Sequence, residues 1–260
     1  MKISSSIVLY NNNIKEIDDL LSNLFETMSD AEDVHVYLIN NSVSNIKLAK
    51  HLTLLQQKNS NISVITPDHN LGFGAGHNMV LSFLYSDYHF IINPDITIPC
   101  EEEIAKMVEF MEEHPNYGML APLIKYPNGK IQHLLKRESN ILDMFLRFTK
   151  LPILKKRQAN FVNLPDGYTY THNAVNVPGS FLMLRTEIFK RINGFDKKYF
   201  LYMEDSDLTM KVNSVSNTVF FPEAFVYHEW QRDNQKSIKG ILQMLKSMYI
   251  YFNKWGWKFW

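Results

Sequence analysis

The sequence has a single cysteine, no long apolar run and no excess of charge of either sign. Cys100 rules out an internal disulfide and is typical of a reducing cytoplasm. No run approaches the roughly 18 to 20 apolar residues that span a bilayer, and the apolar stretch at residues 7–9 is too short for a signal peptide. Because 27 basic residues balance 27 acidic ones, there is no electrostatic basis for binding nucleic acid. The sequence therefore predicts a cytoplasmic protein, soluble or peripheral to a membrane.

Strand-like and helix-like periodicities alternate through the first half of the chain. Apolar runs predict strands at 3–10, 34–39, 62–65 and 88–92, and helical spacing predicts helices at 14–24, 44–58, 77–85 and 101–113. This alternation indicates an α/β fold with a parallel sheet covered on both faces, in which ligands bind beyond the carboxyl ends of the strands. Five polar side chains are predicted at these ends: Asn11, Asn40, Asn41, Asn70 and Asp95.

The second half of the chain is less regular, although it contains no repeat or low-complexity segment. Strands are predicted at 118–125, 130–135, 175–185 and 219–227, and helices at 141–148, 186–191 and 204–212. Residues 150–171 contain two prolines and a basic run, Lys155-Lys156-Arg157, which predicts a mobile loop. The whole is most simply one domain with an irregular C-terminal portion.

A glycine-rich stretch, NLGFGAGHN (residues 70–78), lies between a predicted strand and a predicted helix. Backbone N–H groups in such a position can bind phosphate. The dinucleotide pattern G-x-G-x-x-G fails, because His77 occupies its third glycine position. A tight turn with positive φ explains any one of these glycines as well, so both interpretations stay open.

The apolar strand at 88–92 stops at Asn93-Pro94-Asp95. Proline fixes φ and so holds the peptide of Asp95 in one orientation. One carboxylate near a glycine loop suits a divalent cation that completes its coordination with waters and substrate phosphates. An Asx-type turn has the same composition, so these three residues alone do not decide between the two.

A second acidic cluster, GFDKKYFLYMEDSDL (residues 194–208), combines Asp196, Glu204, Asp205 and Asp207 with aromatic side chains. Carboxylates are expected in the first turn of the helix predicted here. Stabilising a helix N-terminus does not explain, however, why several carboxylates lie beside apolar side chains. A carboxylate among aromatic rings is partly desolvated, which raises its pKa and suits a general base. Further on, His228 ends an apolar strand and is either structural or a metal ligand.

Six motifs in this order resemble the inverting glycosyltransferases of family 2, which have the GT-A fold: SIVLYNN, LINNS, NLGFGAGHN, INPDI, PGSFLMLR and NGFDKKYFLYMEDSDL. Within the family they are similar to the rhamnosyltransferase-like group of bacterial O-antigen and polysaccharide biosynthesis. The resemblance implies a Rossmann-like GT-A domain at 1–235 with a mainly parallel central sheet, divided into a nucleotide-sugar half (1–98) and an acceptor half (99–235). A C-terminal amphipathic helix is expected within 236–260.

The resemblance also implies roles for individual residues. Asp205, paired with Glu204, corresponds to the catalytic base. Asp95 corresponds to the aspartate that binds Mg²⁺ or Mn²⁺, and His228 to a histidine that completes the metal site in some relatives. The implied donor-binding residues are Tyr10, Asn11, Asn40, Asn41, Asn70, Gly72, Asn78, Asn93 and Asp95. Asn40 and Asn93 stand where acids are common in the family, so a weakly held metal is expected.

The activity implied is inverting transfer of a sugar, L-rhamnose from dTDP-rhamnose, to a saccharide or polyprenyl-linked acceptor. Two other functions remain as alternatives. A nucleotidyltransferase would need a basic phosphate-binding loop after the first strand, which SIVLYNNN lacks. A non-catalytic module that binds nucleotide-sugars would have no need of the Glu204-Asp205 pair.

The C-terminal segment combines helical periodicity from residue 237 with the tryptophan- and lysine-rich end NKWGWKFW. Tryptophan and lysine favour the lipid headgroup region. The helix is therefore expected to lie on an anionic membrane, at the inner face of the cell membrane. The alternative is packing on the catalytic domain or on a second subunit of a homodimer.

Overall fold

The computed structural model describes residues 1–149, 151–229 and 238–260. The strands are β1 (Lys2–Leu9), β2 (Asp33–Asn40), β3 (Ile62–Ile65), β4 (Tyr88–Ile92), β5 (Ile96–Thr97), β6 (Tyr117–Lys125), β7 (His172–Asn173), β8 (Phe181–Arg185) and β9 (Asn217–His228). The helices are α1 (Ile14–Thr27), α2 (Ile46–Lys58), α3 (Phe73–His77), α4 (Glu101–Glu113), α5 (Ile141–Thr149), α6 (Lys155–Phe161), α7 (Thr186–Arg191), α8 (Glu204–Asn213) and α9 (Ile238–Trp255).

The strands form one sheet in the order β3-β2-β1-β4-β8-β6-β9-β5, with β7 paired to β9. The part made by β3, β2, β1 and β4 is wholly parallel, as the alternation of strands and helices predicted. Alternate residues of β1 face opposite sides, so that Ile3 and Ile7 pack in the core that α1 covers. The two expected halves, 1–98 and 99–235, share this sheet, and the boundary at 235 lies outside the described residues.

The remaining strands pair in both directions. β8 lies antiparallel between β4 and β6, whereas β6 and β9 run parallel. The short strand β5 pairs antiparallel with the end of β9 and sets Ile96 opposite His228. This pairing brings the segment after β4 against the end of β9, although the two are far apart in the sequence.

Four sequence predictions of secondary structure need correction. The helix expected at 77–85 begins earlier, as α3, and continues only as a 3₁₀ turn at Asn78–Val80, because Gly72 supplies a positive φ at its N-terminus. The predicted loop at 150–171 contains α6. The strand expected at 130–135 is reduced to an isolated bridge between Ile131 and Lys125, and that at 175–185 to β8, because some backbone N–H groups of these segments bond to side chains. The Leu135 N–H donates to Tyr168 Oη at 3.1 Å, and the Val177 N–H donates to Thr209 Oγ1 at 3.4 Å.

A chain of hydrogen bonds crosses the interior between β1, β4 and α3. Ser4 Oγ lies 2.8 Å from His89 Nδ1, and Ser6 Oγ lies 2.8 Å from His89 Nε2 and 2.7 Å from His77 Nδ1. Both imidazole rings are fully buried. Because burial disfavours the charged ring, it lowers the pKa of His89 to about 3 and that of His77 well below its ordinary value.

These two histidines are expected to weaken the fold as the pH falls. Below about pH 6.5, the imidazoles of His77 and His89 bind protons in the unfolded chain but stay neutral in the folded protein. Each histidine therefore lowers the free energy of unfolding by up to ~1.4 kcal/mol per pH unit between pH 6.5 and its depressed pKa. Urea unfolding at several pH values measures this slope. His89→Gln should remove one histidine's share of it, whereas replacing the exposed His69 by glutamine should leave it unchanged; equal slopes in both variants would contradict the assignment.

Helix α9 packs one of its faces on the rest of the domain. Tyr251 and Phe252 are buried in a cluster with Met203, and Lys254 Nζ lies 2.8 Å from the buried Oδ1 of Asp207. This face therefore follows the predicted alternative of packing on the catalytic domain. Among the residues that the structure describes, no helix is long and apolar enough to cross a membrane.

Candidate active site

Asp95 lies where β4 ends beside β8 and where β5 begins beside β9. The Asn93 N–H donates to the Ser180 carbonyl oxygen at 2.8 Å, and the Glu229 N–H donates to the Asp95 carbonyl oxygen at 3.2 Å. The backbone on both sides of Asp95 is thus fixed by neighbouring strands. The turn interpretation and the site interpretation are compatible, because the same turn that ends β4 also presents the carboxylate.

The Asp95 carboxylate faces the buried imidazole of His228. Asp95 Oδ1 lies 3.3 Å from His228 Nε2. On the other side of the ring, Gln132 Oε1 lies 3.1 Å from Nδ1, while Gln132 Nε2 donates to the His228 carbonyl oxygen at 2.6 Å. The second bond fixes the orientation of the Gln132 amide, so its oxygen accepts the proton of Nδ1. In the neutral ring the lone pair of Nε2 then points towards Asp95.

Asp205 lies in the first turn of α8, as predicted for this acidic cluster. Its Oδ1 accepts a hydrogen bond from the Ser206 N–H at 2.7 Å, and its Oδ2 lies 3.9 Å from Lys136 Nζ. The side chain is 23% exposed. A Cβ at Gly179 would lie 3.2 Å from the Asp205 Cβ, so glycine there leaves room beside this carboxylate. Asp205 is therefore fixed in position and still accessible to a ligand.

Glu204 is buried beside Asp205, and its Oε2 has no hydrogen-bond partner among the described residues. Burial, reinforced by the negative charge of Asp205, raises the pKa of Glu204 to about 8, and the nearby Lys136 offsets only part of this effect. Glu204 is thus protonated at neutral pH. The expectation that aromatic surroundings raise the pKa of a carboxylate in this cluster applies to Glu204.

The asparagines at the ends of β1 and β2 mostly bond to the protein itself. Asn11 has a positive φ of 57° and its N–H donates to Ser42 Oγ at 2.6 Å. Asn41 Nδ2 donates to the Gly72 carbonyl oxygen at 2.9 Å, which ties β2 to the glycine loop. Asn40 is buried, and its Nδ2 has no partner among the described residues. Tyr10, in contrast, is exposed at the end of β1.

The glycines of the loop at 70–78 serve close packing. A Cβ at Gly72 would lie 2.0 Å from the Phe200 carbonyl oxygen, and a Cβ at Gly74 would lie 2.8 Å from the Phe195 Cβ. Asn70 Oδ1 accepts a hydrogen bond from the Gly72 N–H at 2.9 Å. Gly72 and Gly74 therefore have no room for a side chain, because the acidic cluster at 194–208 packs closely against them. Gly72 also has a left-handed φ, which favours glycine.

Asn78 is fully engaged with the same cluster. Its Nδ2 donates to the Phe195 carbonyl oxygen and its Oδ1 accepts from the Phe195 N–H, both at 2.8 Å. A direct contact of this amide with a ligand would require breaking these bonds. Asn78 therefore joins the glycine loop to the segment that carries Asp205, a role that its donor-binding assignment did not anticipate.

Comparisons with known proteins decide the family. The family described as Glycosyl transferase family 2 matches residues 5–192, well over half of the chain. The chain belongs to glycosyltransferase family 2. It is a glycosyltransferase, as its motifs predicted.

Two relatives extend over most of this transferase. The rhamnosyltransferase WbbL of Escherichia coli K12 is 24% identical over 244 residues, which cover 90% of this chain and 88% of that protein. The N-acetylglucosaminyl-diphospho-decaprenol L-rhamnosyltransferase of Mycobacterium tuberculosis H37Rv is 24% identical over 209 residues, which cover 75% of this chain and 68% of the relative. The predicted similarity to the rhamnosyltransferase-like group is confirmed.

Solved structures confirm the GT-A fold of the transferase. The mannosyltransferase PcManGT from Pyrobaculum calidifontis, in complex with GDP-Man and Mn²⁺, has a TM-score of 0.67 at 12% identity over 96% of this chain. GalNAc-T7 with UDP, GalNAc and Mn²⁺ has a TM-score of 0.65 at 13% identity over 98% of this chain. TarS 1-349 from S. aureus with UDP has a TM-score of 0.59 at 19% identity over 87%. The transferase spans 64%, 48% and 60% of these three chains, respectively.

The surroundings of Asp95 in the transferase fit a divalent cation. Asp95 Oδ1 and the lone pair of His228 Nε2 face each other at 3.3 Å, and two such atoms are favourably placed only with a positive charge or a proton between them. Both can reach one ion at the usual distance of about 2.1 Å. Within the described ranges, no group of three or more His, Cys, Asp or Glu side chains could hold a metal ion. Waters and substrate oxygens would supply further ligands of such an ion.

Residues 131–139, here named the bridging segment, connect the two parts of the site. Gln132 holds His228, and Lys136 lies beside Asp205. Near its end, Ser139 Oγ accepts a hydrogen bond from Asn176 Nδ2, while Asn176 Oδ1 accepts one from Ser206 Oγ. Gln132, Lys136 and Asn176 were not predicted as site residues. For Gln132, the available signal was the presence of polar side chains within the strand predicted at 130–135.

Gln132→Leu is expected to raise the concentration of Mg²⁺ or Mn²⁺ needed for half-maximal activity by about 10- to 100-fold, because His228 loses the partner that orients its ring. A metal titration of transfer activity measures this change. Gln132→Glu keeps an acceptor for Nδ1–H and should stay closer to the parent protein. Both substitutions remove the bond to the His228 carbonyl oxygen, so the two variants differ in the contact with His228 Nδ1. Equal metal requirements in the two variants would show that this contact does not affect metal binding.

Proposed function

We propose that this transferase moves a sugar from a nucleotide-sugar donor to an acceptor hydroxyl, with inversion at the anomeric carbon. The observation that carries the proposal is the bridging segment, which contacts His228 through Gln132 and Asp205 through Lys136. These two residues are four positions apart in the chain, so their Cα atoms are separated by no more than about 14 Å. One short stretch of chain thus contacts both the candidate cation site and the candidate base, which supports one substrate reaching both.

Asp205 is the proposed general base. Its partly exposed carboxylate takes the proton of the acceptor hydroxyl as the oxygen attacks the anomeric carbon, and the bond to the nucleoside diphosphate breaks on the opposite face of the sugar. The Ser206 N–H and Lys136 lie on either oxygen of the Asp205 carboxylate and hold it in place. Glu204, protonated at neutral pH, is proposed to donate a hydrogen bond that orients the acceptor.

Mg²⁺ or Mn²⁺ is proposed to bind Asp95 and His228, and when bound it supplies Lewis-acid stabilisation of the departing diphosphate. Two solved structures with this fold are described as complexes with Mn²⁺, which supports a divalent cation. Asn93 carries no charge, so the site has fewer negative ligands than one with two acids. Weak, substrate-assisted metal binding is the expected consequence.

The proposed donor is dTDP-L-rhamnose, because two relatives are named as rhamnosyltransferases. The name of one of them includes diphospho-decaprenol, which supports a saccharide acceptor on a polyprenyl diphosphate and a role in cell-surface polysaccharide synthesis. The donor-side residues remain as predicted from the motifs. Of these, the exposed Tyr10 has most freedom to contact a nucleotide base, whereas Asn41 and Asn78 shape the site through the protein contacts described above.

A panel of nucleotide-sugars tests the proposal. The transferase is incubated with each donor and with saccharide and polyprenyl-linked acceptors, and the released nucleotide is identified. We expect release of a nucleoside diphosphate only when an acceptor is present, and NMR of the product should show the inverted anomeric configuration. Release of a sugar 1-phosphate would instead indicate nucleotidyl transfer, and binding of donors without turnover would indicate a binding module; either result overturns the proposal.

A further inference from the structure

Two neighbouring parts of the molecule expose apolar side chains that are not packed in the hydrophobic core. The first is α9, whose outer face carries Leu242, Leu245 and Tyr249. These positions are three and four residues apart, so they form one stripe along the helix. The opposite face is the one that contains Tyr251 and packs on the domain. The stripe therefore points away from the protein core.

The second part is the stretch from α5 into the start of α6. Phe145 and Phe148 are exposed on α5, and three aliphatic side chains follow in the next turn of chain: Leu151, Ile153 and Leu154. The base of this element is firmly held, because Arg157 pairs with the buried carboxylate of Asp143 at 2.6 Å. Apolar side chains thus project from a fixed support.

The two parts adjoin each other. The Ile141 N–H donates to the Lys258 carbonyl oxygen at 2.9 Å, and the Leu142 N–H donates to the Phe259 carbonyl oxygen at 3.2 Å. Ile141 also packs against the buried cluster that includes Phe252 of α9. The start of α5 is thereby joined to the segment after α9, where Phe259 and Trp260 are themselves exposed.

Residues 144–165 and 238–260 carry charges of one sign, although Glu138 pairs with Lys258 beside Phe259. The sequence has no aspartate or glutamate at 144–165 or at 238–260. Lys155 and Lys156 of α6, and Lys239 and Lys246 of α9, form no salt bridge with any described residue. Exposed aromatic and aliphatic groups flanked by these lysines complement the anionic headgroups of a bilayer.

We propose that α9, the residues that follow it and the α5–α6 stretch form one docking surface for an anionic lipid bilayer. The proposal extends the membrane role expected of the C-terminal helix to a second element that sequence periodicity did not single out. It goes beyond the proposed function and does not depend on it, since it concerns binding to lipid rather than transfer. A second copy of the chain is the rival occupant, but free lysines on both elements would repel each other across such an interface.

Vesicle flotation with the full chain tests the surface. One variant, Leu242→Ser with Leu245→Ser, alters α9, and another, Phe145→Ser with Phe148→Ser, alters α5. The matched control, Ile46→Ser with Leu54→Ser, removes two exposed apolar side chains from α2. Vesicles contain phosphatidylcholine with or without phosphatidylglycerol, at low and high salt. Circular dichroism and thermal unfolding establish that each variant is folded.

We expect the parent protein and the α2 control to float with vesicles that contain phosphatidylglycerol, and the salt to weaken this binding. Each of the α9 and α5 variants should bind at least tenfold more weakly. If only the α9 variant lost binding to the vesicles, the proposal that the α5–α6 stretch is part of the docking surface would be wrong. Absence of flotation, together with a dimer in sedimentation that either variant dissociates, would assign the surface to a second copy. Nucleoside diphosphate release with a soluble acceptor, measured in parallel, separates failure of this proposal from failure of the proposed transferase activity.

Discussion

Replacing Asp205 by asparagine is expected to lower kcat by about a thousandfold while leaving donor affinity nearly unchanged. A positioned general base contributes on the order of 10²- to 10⁴-fold to a rate, and the amide that replaces it cannot accept the proton of the acceptor hydroxyl. Asparagine keeps the size of the side chain and can still accept the Ser206 N–H bond. Steady-state transfer measured with titration calorimetry of the donor separates the two effects. Substantial residual turnover would remove Asp205 from the role of base.

Glu204→Gln is the matched comparison for this variant. Because Glu204 is protonated at neutral pH, the neutral amide preserves its charge, its approximate shape and its ability to donate a hydrogen bond. Transfer at pH 7 should therefore fall by less than about tenfold, far less than in Asp205→Asn. If the two variants lost activity equally, the distinction between a charged base and a neutral neighbour would be wrong, and the pair would have to be treated as one unit.

Replacing Asp95 by alanine is expected to have the second largest effect. The variant leaves His228 as the only protein ligand proposed for the cation, so the metal concentration needed for half-maximal transfer should rise by at least about 100-fold, with a fall in kcat/KM at any fixed concentration. Neighbours of a metal ligand typically change affinity by about 10- to 100-fold, and loss of a ligand itself should exceed that range. Titrations with Mg²⁺ and Mn²⁺ measure both quantities.

Asp30→Ala is the control for the loss of a carboxylate. Asp30 is exposed between α1 and β2, at the opposite edge of the sheet from the carboxyl ends of the parallel strands, and its replacement should leave the metal requirement unchanged. His228→Ala should shift the titration in the same direction as Asp95→Ala. An unchanged metal titration in Asp95→Ala, with transfer intact, would rule out this carboxylate as the cation ligand.

The sequence predicted the parts of the fold that depend on local pattern. Apolar runs and helical spacing located β1 to β4 and most of the helices, and strand ends placed Asp95 at the edge where ligands bind. The acidic start of α8 was also visible, because carboxylates and helix initiation leave a local signature. Local sequence therefore marked Asp95 and the acidic cluster that contains Asp205, and the family resemblance singled out these two residues for the metal and base roles.

The supporting residues could not be found, because their roles depend on contacts between distant parts of the chain. Gln132 bonds to His228 across 96 positions, and Asn78 bonds to Phe195 across 117. No periodicity relates such pairs. The helix predicted at 77–85 was misplaced because α3 begins directly after Gly72, whose positive φ accompanies a close approach of Phe200 from a distant part of the chain. The raised pKa of Glu204 likewise depends on its burial, which local sequence does not determine.

The contact between Gly72 and the Phe200 carbonyl oxygen limits how this enzyme can be recombined with its relatives. The Phe73 N–H also donates to that oxygen, at 3.1 Å. A chimera that takes the glycine loop from one protein and the loop before Glu204 from another must match two backbones at van der Waals distance. Changes of sugar specificity by grafting should therefore succeed only when both loops are transplanted as one unit, and the two loops should have diversified together.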